Sequence, residues 1–291
     1  MTELSKVAVR KRQPLLLRRF ATMTPLIRIA SAVLLLIVLA AVLAPLIAPH
    51  DPTTPNALDS FGGPSGSHLL GADASGRDLL SRLIYGARLS LAGPAVVVLL
   101  MVPVGVLLAL LAAWRGGITD GVISRVIDIL FAFPGLILAI VAVAMFGAGF
   151  WAPVIALTVS YVPVLARVLR SVALKERNLP YVAALQVQGV SAIRIAVRHL
   201  IPNLLPMITV QAGVAFGYAM LDLAAISYLG LGLQPPTADW GVMVSEGQSS
   251  VIEGFPQESL YAAVMVLVTV VCINLIGGWF AERHDISEAD L

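Results

Sequence analysis

The 291-residue chain is 58% hydrophobic and only 12% charged, with a net charge of +2 and a mean hydropathy of +0.91. Soluble domains carry roughly 25% charged residues, so the composition excludes a soluble enzyme or a nucleic-acid-binding protein and describes a chain built to lie mainly in lipid. The charges are clustered, and their distribution says more than their sum.

Residues 1–28 carry Lys6, Arg10, Lys11, Arg12, Arg18, Arg19 and Arg28 against one acid, Glu3. An apolar run follows at 29–49. It is longer than the apolar part of a secretion signal and lacks a small-x-small cleavage site, so it reads as a retained first span. Residues 50–69 are rich in Pro, Gly and Ser and predict an irregular outer loop. From Leu79 the positions Leu79, Leu80, Leu83, Ile84 and Ala87 repeat at helical spacing, with Asp78, Ser81 and Arg82 elsewhere on the turn. That pattern predicts an amphipathic helix at the outer interface, so loop and helix together occupy 50–89. Asp73, Arg77 and Asp78 read as an ion-paired structural network rather than a catalytic carboxylate pair.

Five further apolar runs lie at 90–114, 126–147, 151–170, 206–230 and 259–281, each near the ~20 residues that cross a bilayer. The core is therefore 90–281, followed by a tail at 282–291. Pro94, Pro103, Pro134, Pro153 and Pro163 fall inside these runs and predict kinked helices packed on one another. Gly213 and Gly217 predict a close helix approach within the bundle. Trp240, in the loop after the fifth span, reads as an anchor at the water–lipid boundary. Cys272 lies in the last apolar run, forms no internal disulfide because it is the single cysteine, and reads as packing. His50, His68, His199 and His284 are scattered without metal-ligand spacing, and no resident metal is expected.

The basic residues set the orientation. Sixteen of the nineteen Lys and Arg fall in the N-terminal tail, 115–125, 167–198 and at Arg283, while Arg77, Arg82 and Arg88 lie in the alternate segments. By the positive-inside rule, both termini are cytoplasmic. Two acids fall inside spans, Asp128 near the start of the third and Asp222 within the fifth. An acid in lipid is costly, so Asp222 reads either as part of a water-filled translocation path or as a hydrogen-bonded structural acid.

Between the fourth and fifth spans stands Tyr181–Asn203, YVAALQVQGVSAIRIAVRHLIPN, delimited by Pro180 and Pro202. Gly189 ends a first short helix on which Tyr181, Ala184 and Leu185 share a face. Ser191 can cap a second. There Ile193, Ala196, Val197, Leu200 and Ile201 predict an apolar stripe, with Arg194 and Arg198 at i, i+4 on another face. The pattern fits either a helix pair resting on lipid headgroups or one that inserts into a soluble partner.

This segment resembles the cytoplasmic "EAA" signature of ABC-transporter permeases: Glu-Ala-Ala, three residues, Gly, then a hydrophobic-x-hydrophobic-Pro ending. Gly189 and Pro202 fall at the required separation. Ala184 keeps the first Ala, whereas Ala183 replaces the Glu, Leu185 replaces the second Ala, and His199 stands where an aliphatic residue is usual. Three further blocks, LGADASGRDLLSRLIYGARLSL (70–91), DILFAFPGLILAI (128–140) and SYLGLGLQPPTADWGVM (227–243), resemble the C-subunit side of the dipeptide/oligopeptide/nickel permease family. The first span and its outer loop resemble that group's N-terminal extension.

The resemblance implies an all-α membrane protein with six transmembrane helices, in the type I (MetI-like) ABC importer permease fold with an extra N-terminal span. It implies a second, homologous permease subunit, two cytoplasmic ATPases that hold ATP and Mg, and an extracytoplasmic binding protein. Di- or oligopeptides lead as substrates, with nickel chelates, glutathione-like molecules and sugars open. Coupling to the ATPases then falls on Tyr181, Ala183, Ala184, Gly189, Arg194, Arg198 and Pro202, within a cytoplasmic segment 171–205. The residues agree that energy comes from outside. A phosphate-binding loop needs Gly-x-x-x-x-Gly-Lys-Ser/Thr, and Lys6, Lys11 and Lys175 all lack that context, so no cofactor is expected on this chain. The rival is an ion-gradient-driven secondary transporter, which internal repeats would support; none is visible, and Asp222 is its single candidate. An intramembrane hydrolase would need a paired nucleophile and base, and Ser160 and Ser227 have no intramembrane His nearby in sequence.

Overall fold

The computed structural model describes residues 24–289, with side chains through Phe280; most of the predicted basic tail lies outside the described residues. Among the described residues the chain is helical and forms no strand beyond an isolated Ala72–Asp78 bridge. Helix α1 (Pro25–Val42) starts with Pro25 in its first turn, where a missing N–H costs nothing. It buries Ala30, Ile37 and Ala41 on one face and exposes Leu35, Leu36 and Leu39 on the others, as a lipid-facing helix does. A single further turn, α2 (Ala44–Ile47), ends it.

Helix α3 (Leu79–Arg115) is one element of 37 residues. The interfacial helix expected before residue 90 and the second span are therefore continuous. Asp78 caps the start by accepting from Ser81 N at 2.8 Å, and the helix runs on through Pro94 and Pro103 to Gly116, at φ +61°. Ser81 and Arg82, which spacing placed on a polar face, are fully buried, because that side packs against the helices at Trp240–Ile252 and Gln257–Ala289, whose Glu246 and Glu258 reach Arg82. α3 contributes to all four apolar clusters of the molecule and is its central strut.

Helices α4 (Gly117–Phe131) and α5 (Gly135–Phe146) are bent by 81° at Ala132–Pro134. Pro134 disfavours helical backbone at Phe133 and supplies no N–H, so the span expected as one run at 126–147 is broken. At 1.5 Å per residue α5 rises only about 18 Å, short of the ~30 Å hydrocarbon core. Among the described residues five helices are long and apolar enough to cross, and a sixth crossing is made when the bent pair is counted as one. Two ion pairs tie α4 to α6 (Trp151–Arg177): Arg170 holds Asp120 through two 2.5 Å bonds, and Arg167 pairs with Asp128. Asp128 is thus half-exposed in an ion pair.

Helix α7 (Pro180–Val187) leads to α8 (Ala192–Tyr228), which contains a wide π turn at Ala196–Leu200. Helices α9 (Trp240–Ile252) and α10 (Gln257–Ala289) complete the chain; α10 continues as helix through most of the expected 282–291 tail. The close approach predicted at Gly213 and Gly217 is made to α10: a Cβ on Gly213 would sit 3.7 Å from Gly277 Cα, and one on Gly217 3.3 Å from Asn274.

Candidate coupling surface and membrane pocket

The 181–203 segment is a small folded unit anchored on the end of α3. Helix α7 stops in a Schellman turn: Val190 N donates to Leu185 O and Gly189 N to Gln186 O, both at 3.0 Å. Gly189 takes φ +77° there, a conformation that costs a side-chain-bearing residue roughly 1–2 kcal/mol. Ser191 occupies the N-cap position of the second helix, but its side chain makes no capping bond. Val182, Ile195 and Leu200 are buried against Leu110, Trp114, Tyr181 and Leu185.

This corrects the predicted stripe. Ile193 and Val197 are exposed, at 78% and 59%, while Ile195 is wholly buried. The cause is the π turn, in which Ile201 N bonds Ala196 O, five residues back. The extra residue shifts the helical phase, so the inward positions Ile195 and Leu200 are five apart. Pro202 follows that turn; it has no N–H to return to Arg198, and a widened turn accommodates the loss.

Side chains that the sequence pattern did not single out brace the unit. Arg177 Nη1 donates to Ala113 O at 2.6 Å, and its guanidinium lies 5.5 Å from the centre of the Trp114 ring. Glu176 accepts from Tyr181 Oη and Asn203 Nδ2, both at 2.6 Å. Burial and the Glu176 carboxylate push the Tyr181 phenol up to about 12, so it stays a neutral donor. Outward face Ala183, Ala184, Val187, Ile193, Arg194, Val197 and Arg198, all exposed, with Val187 at 90%. Tyr181 is partly buried in the base, and Gly189 lies in the turn. The surface thus combines separated apolar knobs with two guanidinium groups on a packed, hydrogen-bonded base.

In the membrane part, Asp222 accepts from Tyr161 Oη at 2.6 Å. Both line a cavity of about 350 Å³ with Met101, Leu165, Gln211 and Tyr218. Asp222 is therefore both hydrogen-bonded and at a cavity wall. Tyr161, Gln211, Tyr218 and Asp222 are the polar side chains of an otherwise apolar lining.

At the opposite end of α3 from the 181–203 unit, a buried charge network joins four segments. Asp73 and Glu246 each pair with both Arg77 and Arg82, and Arg82 also reaches Glu258. The predicted network around Asp73 and Arg77 is present, but Asp78 serves the helix cap instead, and Arg82, Glu246 and Glu258 were not expected in it. Trp240 does not anchor at the lipid boundary. It is wholly buried, its ring lies against Gly86, and its Nε1 donates to Leu83 O at 3.0 Å. Asp239 holds it in place by accepting from Gly241 N, Val242 N and Ser90 Oγ. The scattered histidines are partly reunited: the His50 and His68 rings lie 4.9 Å apart.

Residues 101–286 match the family of binding-protein-dependent transport system inner membrane components, and residues 23–64 match the N-terminal TM domain of oligopeptide transport permease C. The chain is 39% identical over 262 residues to the di/tripeptide transport system permease protein DppC of Pseudomonas aeruginosa, covering 87% of this chain and 85% of that protein. It is 36% identical over 248 residues to the dipeptide transport system permease protein DppC of Alkalihalophilus pseudofirmus, with 85% and 81% covered. The glutathione transport system permease protein GsiD of Escherichia coli O6:K15:H31 is 36% identical over 269 residues, with 92% and 88% covered. A helical bundle of five or six crossings, one of them broken, and an added N-terminal span agree with these matches: the chain is a multi-pass membrane permease of the ABC-transporter inner-membrane component family, of the type that carries the oligopeptide permease C N-terminal domain.

Proposed function

We propose that this permease pairs with a homologous subunit to form the translocation path for di- or oligopeptides in an importer of a prokaryotic inner membrane. Two cytoplasmic ATPases, which hold ATP and Mg, dock on the 181–203 unit, and an extracytoplasmic binding protein delivers the substrate. Both termini lie in the cytoplasm. The observation that carries the reading is the division of that unit into two faces. Val182, Ile195 and Leu200 fix it to the end of α3, while Val187, Ile193, Val197, Arg194 and Arg198 face outward. A partner that grips the outer face moves a base that does not yield.

The second coupling helix is the start of a span, which supplies the mechanical link. From Arg194 to Asp222 the helix α8 rises about 42 Å, at about 1.5 Å per residue step. ATP-driven closure of the ATPases shifts the unit, and α8 carries the shift to the cavity beside Tyr161 and Asp222. Substrate passes between this subunit and its partner. ATP and the loaded binding protein bias the two states only through their different affinity for each. Co-purification of the chain with its co-expressed neighbouring gene products tests the reading. An ATPase is expected in the complex, and its recovery should fall with Arg194→Glu plus Arg198→Glu. A thermal-shift screen of the binding protein against peptides and metal chelates then selects the substrate class.

A further inference from the structure

Where the first span gives way to the outer loop, His50, His68 and Asp78 converge. One ligand atom from each lies within 4.8 Å of the others. His68 Nδ1 is 3.0 Å from Asp78 Oδ1, and His50 Nδ1 is 3.9 Å from Asp78 Oδ2. Ligand atoms around a tetrahedral zinc at ~2.0–2.1 Å are themselves roughly 3.3–3.4 Å apart, so small side-chain movements bring the three atoms onto one ion.

The supporting contacts are those of a metal site. His68 turns its other nitrogen, Nε2, to Asp59 Oδ2 at 3.4 Å, the carboxylate–histidine pairing that fixes tautomer and ring direction behind a metal. Asn56 Nδ2 donates to Asp59 Oδ2 at 2.6 Å and holds that carboxylate. Ser81 N and Oγ donate to Asp78 Oδ2 at 2.8 and 2.7 Å, leaving Oδ1 directed at His68. Ser81 Oγ also accepts from His50 N at 3.0 Å, which tethers the end of the first span to the cap of α3. Asp78 and the His68 side chain are largely enclosed, whereas the His50 side chain is 43% exposed. The donor set is two imidazoles and one carboxylate with one side open to solvent. We propose that His50, His68 and Asp78 bind a divalent transition-metal ion, with zinc the best match to two nitrogens and one oxygen and copper or nickel its chemical competitors. The ion reinforces, at the loop end, a junction that the His50 N–Ser81 Oγ bond and the packing of Ile37 and Ala41 on Leu79, Leu83 and Ala87 already make between the N-terminal span and the first turns of α3.

The test uses the full chain with its co-expressed partners, purified through a tag without histidine, stripped with chelator and equilibrated with zinc alone. Metal analysis is expected to find one zinc per chain, and cobalt in its place to give the visible absorption of a low-coordinate N/O site. His50→Ala, the least buried of the ligands, should abolish stoichiometric binding while leaving the complex assembled. Asp59→Asn should weaken binding roughly ten- to a hundredfold, as loss of an outer partner does. If His68→Gln does not fold, His50→Ala and the cobalt spectrum decide alone. Equal zinc content in wild type and His50→Ala, or wild-type zinc at buffer background, would overturn the proposal and leave His68 as an ion-pair partner of Asp78 and Asp59.

Discussion

Arg82 Nη1 donates to Glu258 Oε1 at 2.6 Å across 176 residues of sequence, joining the first turn of α3 to the first turn of α10. Both side chains are almost wholly buried, and Asp73 and Glu246 share the same guanidinium. Removing one partner of such a network strands charge in a low-dielectric site, at about 3–5 kcal/mol. Arg82→Met should therefore lower the thermal unfolding midpoint of the purified chain sharply, whereas Arg88→Met, at an exposed position, should change stability by within about 0.5 kcal/mol.

Trp240 gives a second stability test. Trp240→Ala empties the space between Leu83, Gly86 and the neighbouring helices and should cost about 3–5 kcal/mol. Trp240→Phe keeps most of the ring and loses the bond to Leu83 O, so it should cost clearly less. Gly86→Ala attacks the same contact from the other side, since its Cβ would fall 3.0 Å from Trp240 Cδ1. Thermal unfolding of the three variants should rank Trp240→Ala as the worst.

Asp222 separates the proposed importer from an ion-coupled transporter. Asp222→Asn keeps an acceptor for Tyr161 and changes one hydrogen bond by about 1 kcal/mol. ATP-driven uptake should persist within roughly fivefold. Near-total loss of uptake with ATPase stimulation intact would favour proton or ion coupling through this carboxylate.

At the coupling unit, two single changes should act in opposite directions. Gly189→Ala strains the Schellman turn by about 1–2 kcal/mol and should reduce both ATPase association and substrate-stimulated ATP hydrolysis. Ala183→Glu restores the signature charge at an exposed position. It should strengthen ATPase association without moving the unfolding temperature of the chain.

The sequence carried the parts of this molecule that depend on local pattern. Apolar run length located the spans, and the Gly189 break located the end of α7. What it concealed depends on phase or distance. The π turn at Ala196–Leu200 displaces the helical repeat by one residue, so a 3.6 spacing counted from Ile193 selects the outward face and misses Ile195. Phe133-Pro134-Gly135 signals a kink, but neither the size of the bend, 81°, nor the pairing of α4 with α6 through Arg167 and Arg170 follows from local sequence. Trp240 looks like a boundary residue until Gly86, more than 150 positions earlier, makes room for it. Glu246 and Glu258 look like surface acids of an outer loop because their partner Arg82 lies in another helix.

Cross-linking at Ile193 tests the central claim, that the 181–203 unit is where the ATPase docks. In a chain carrying Cys272→Ala, which removes the single, buried native thiol, Ile193→Cys places a reactive group on the exposed face of the 181–203 unit. In membranes with the co-expressed partners, a maleimide–benzophenone reagent attached at this position, whose benzophenone inserts into any C–H bond within reach on irradiation, should join it to an ATP-binding-cassette ATPase, and ATP should change the yield. Leu58→Cys, 95% exposed in the outer loop, should give no such product. An Ile193→Cys chain that is fully labelled by maleimide yet yields no ATPase adduct, with or without ATP, would contradict the account.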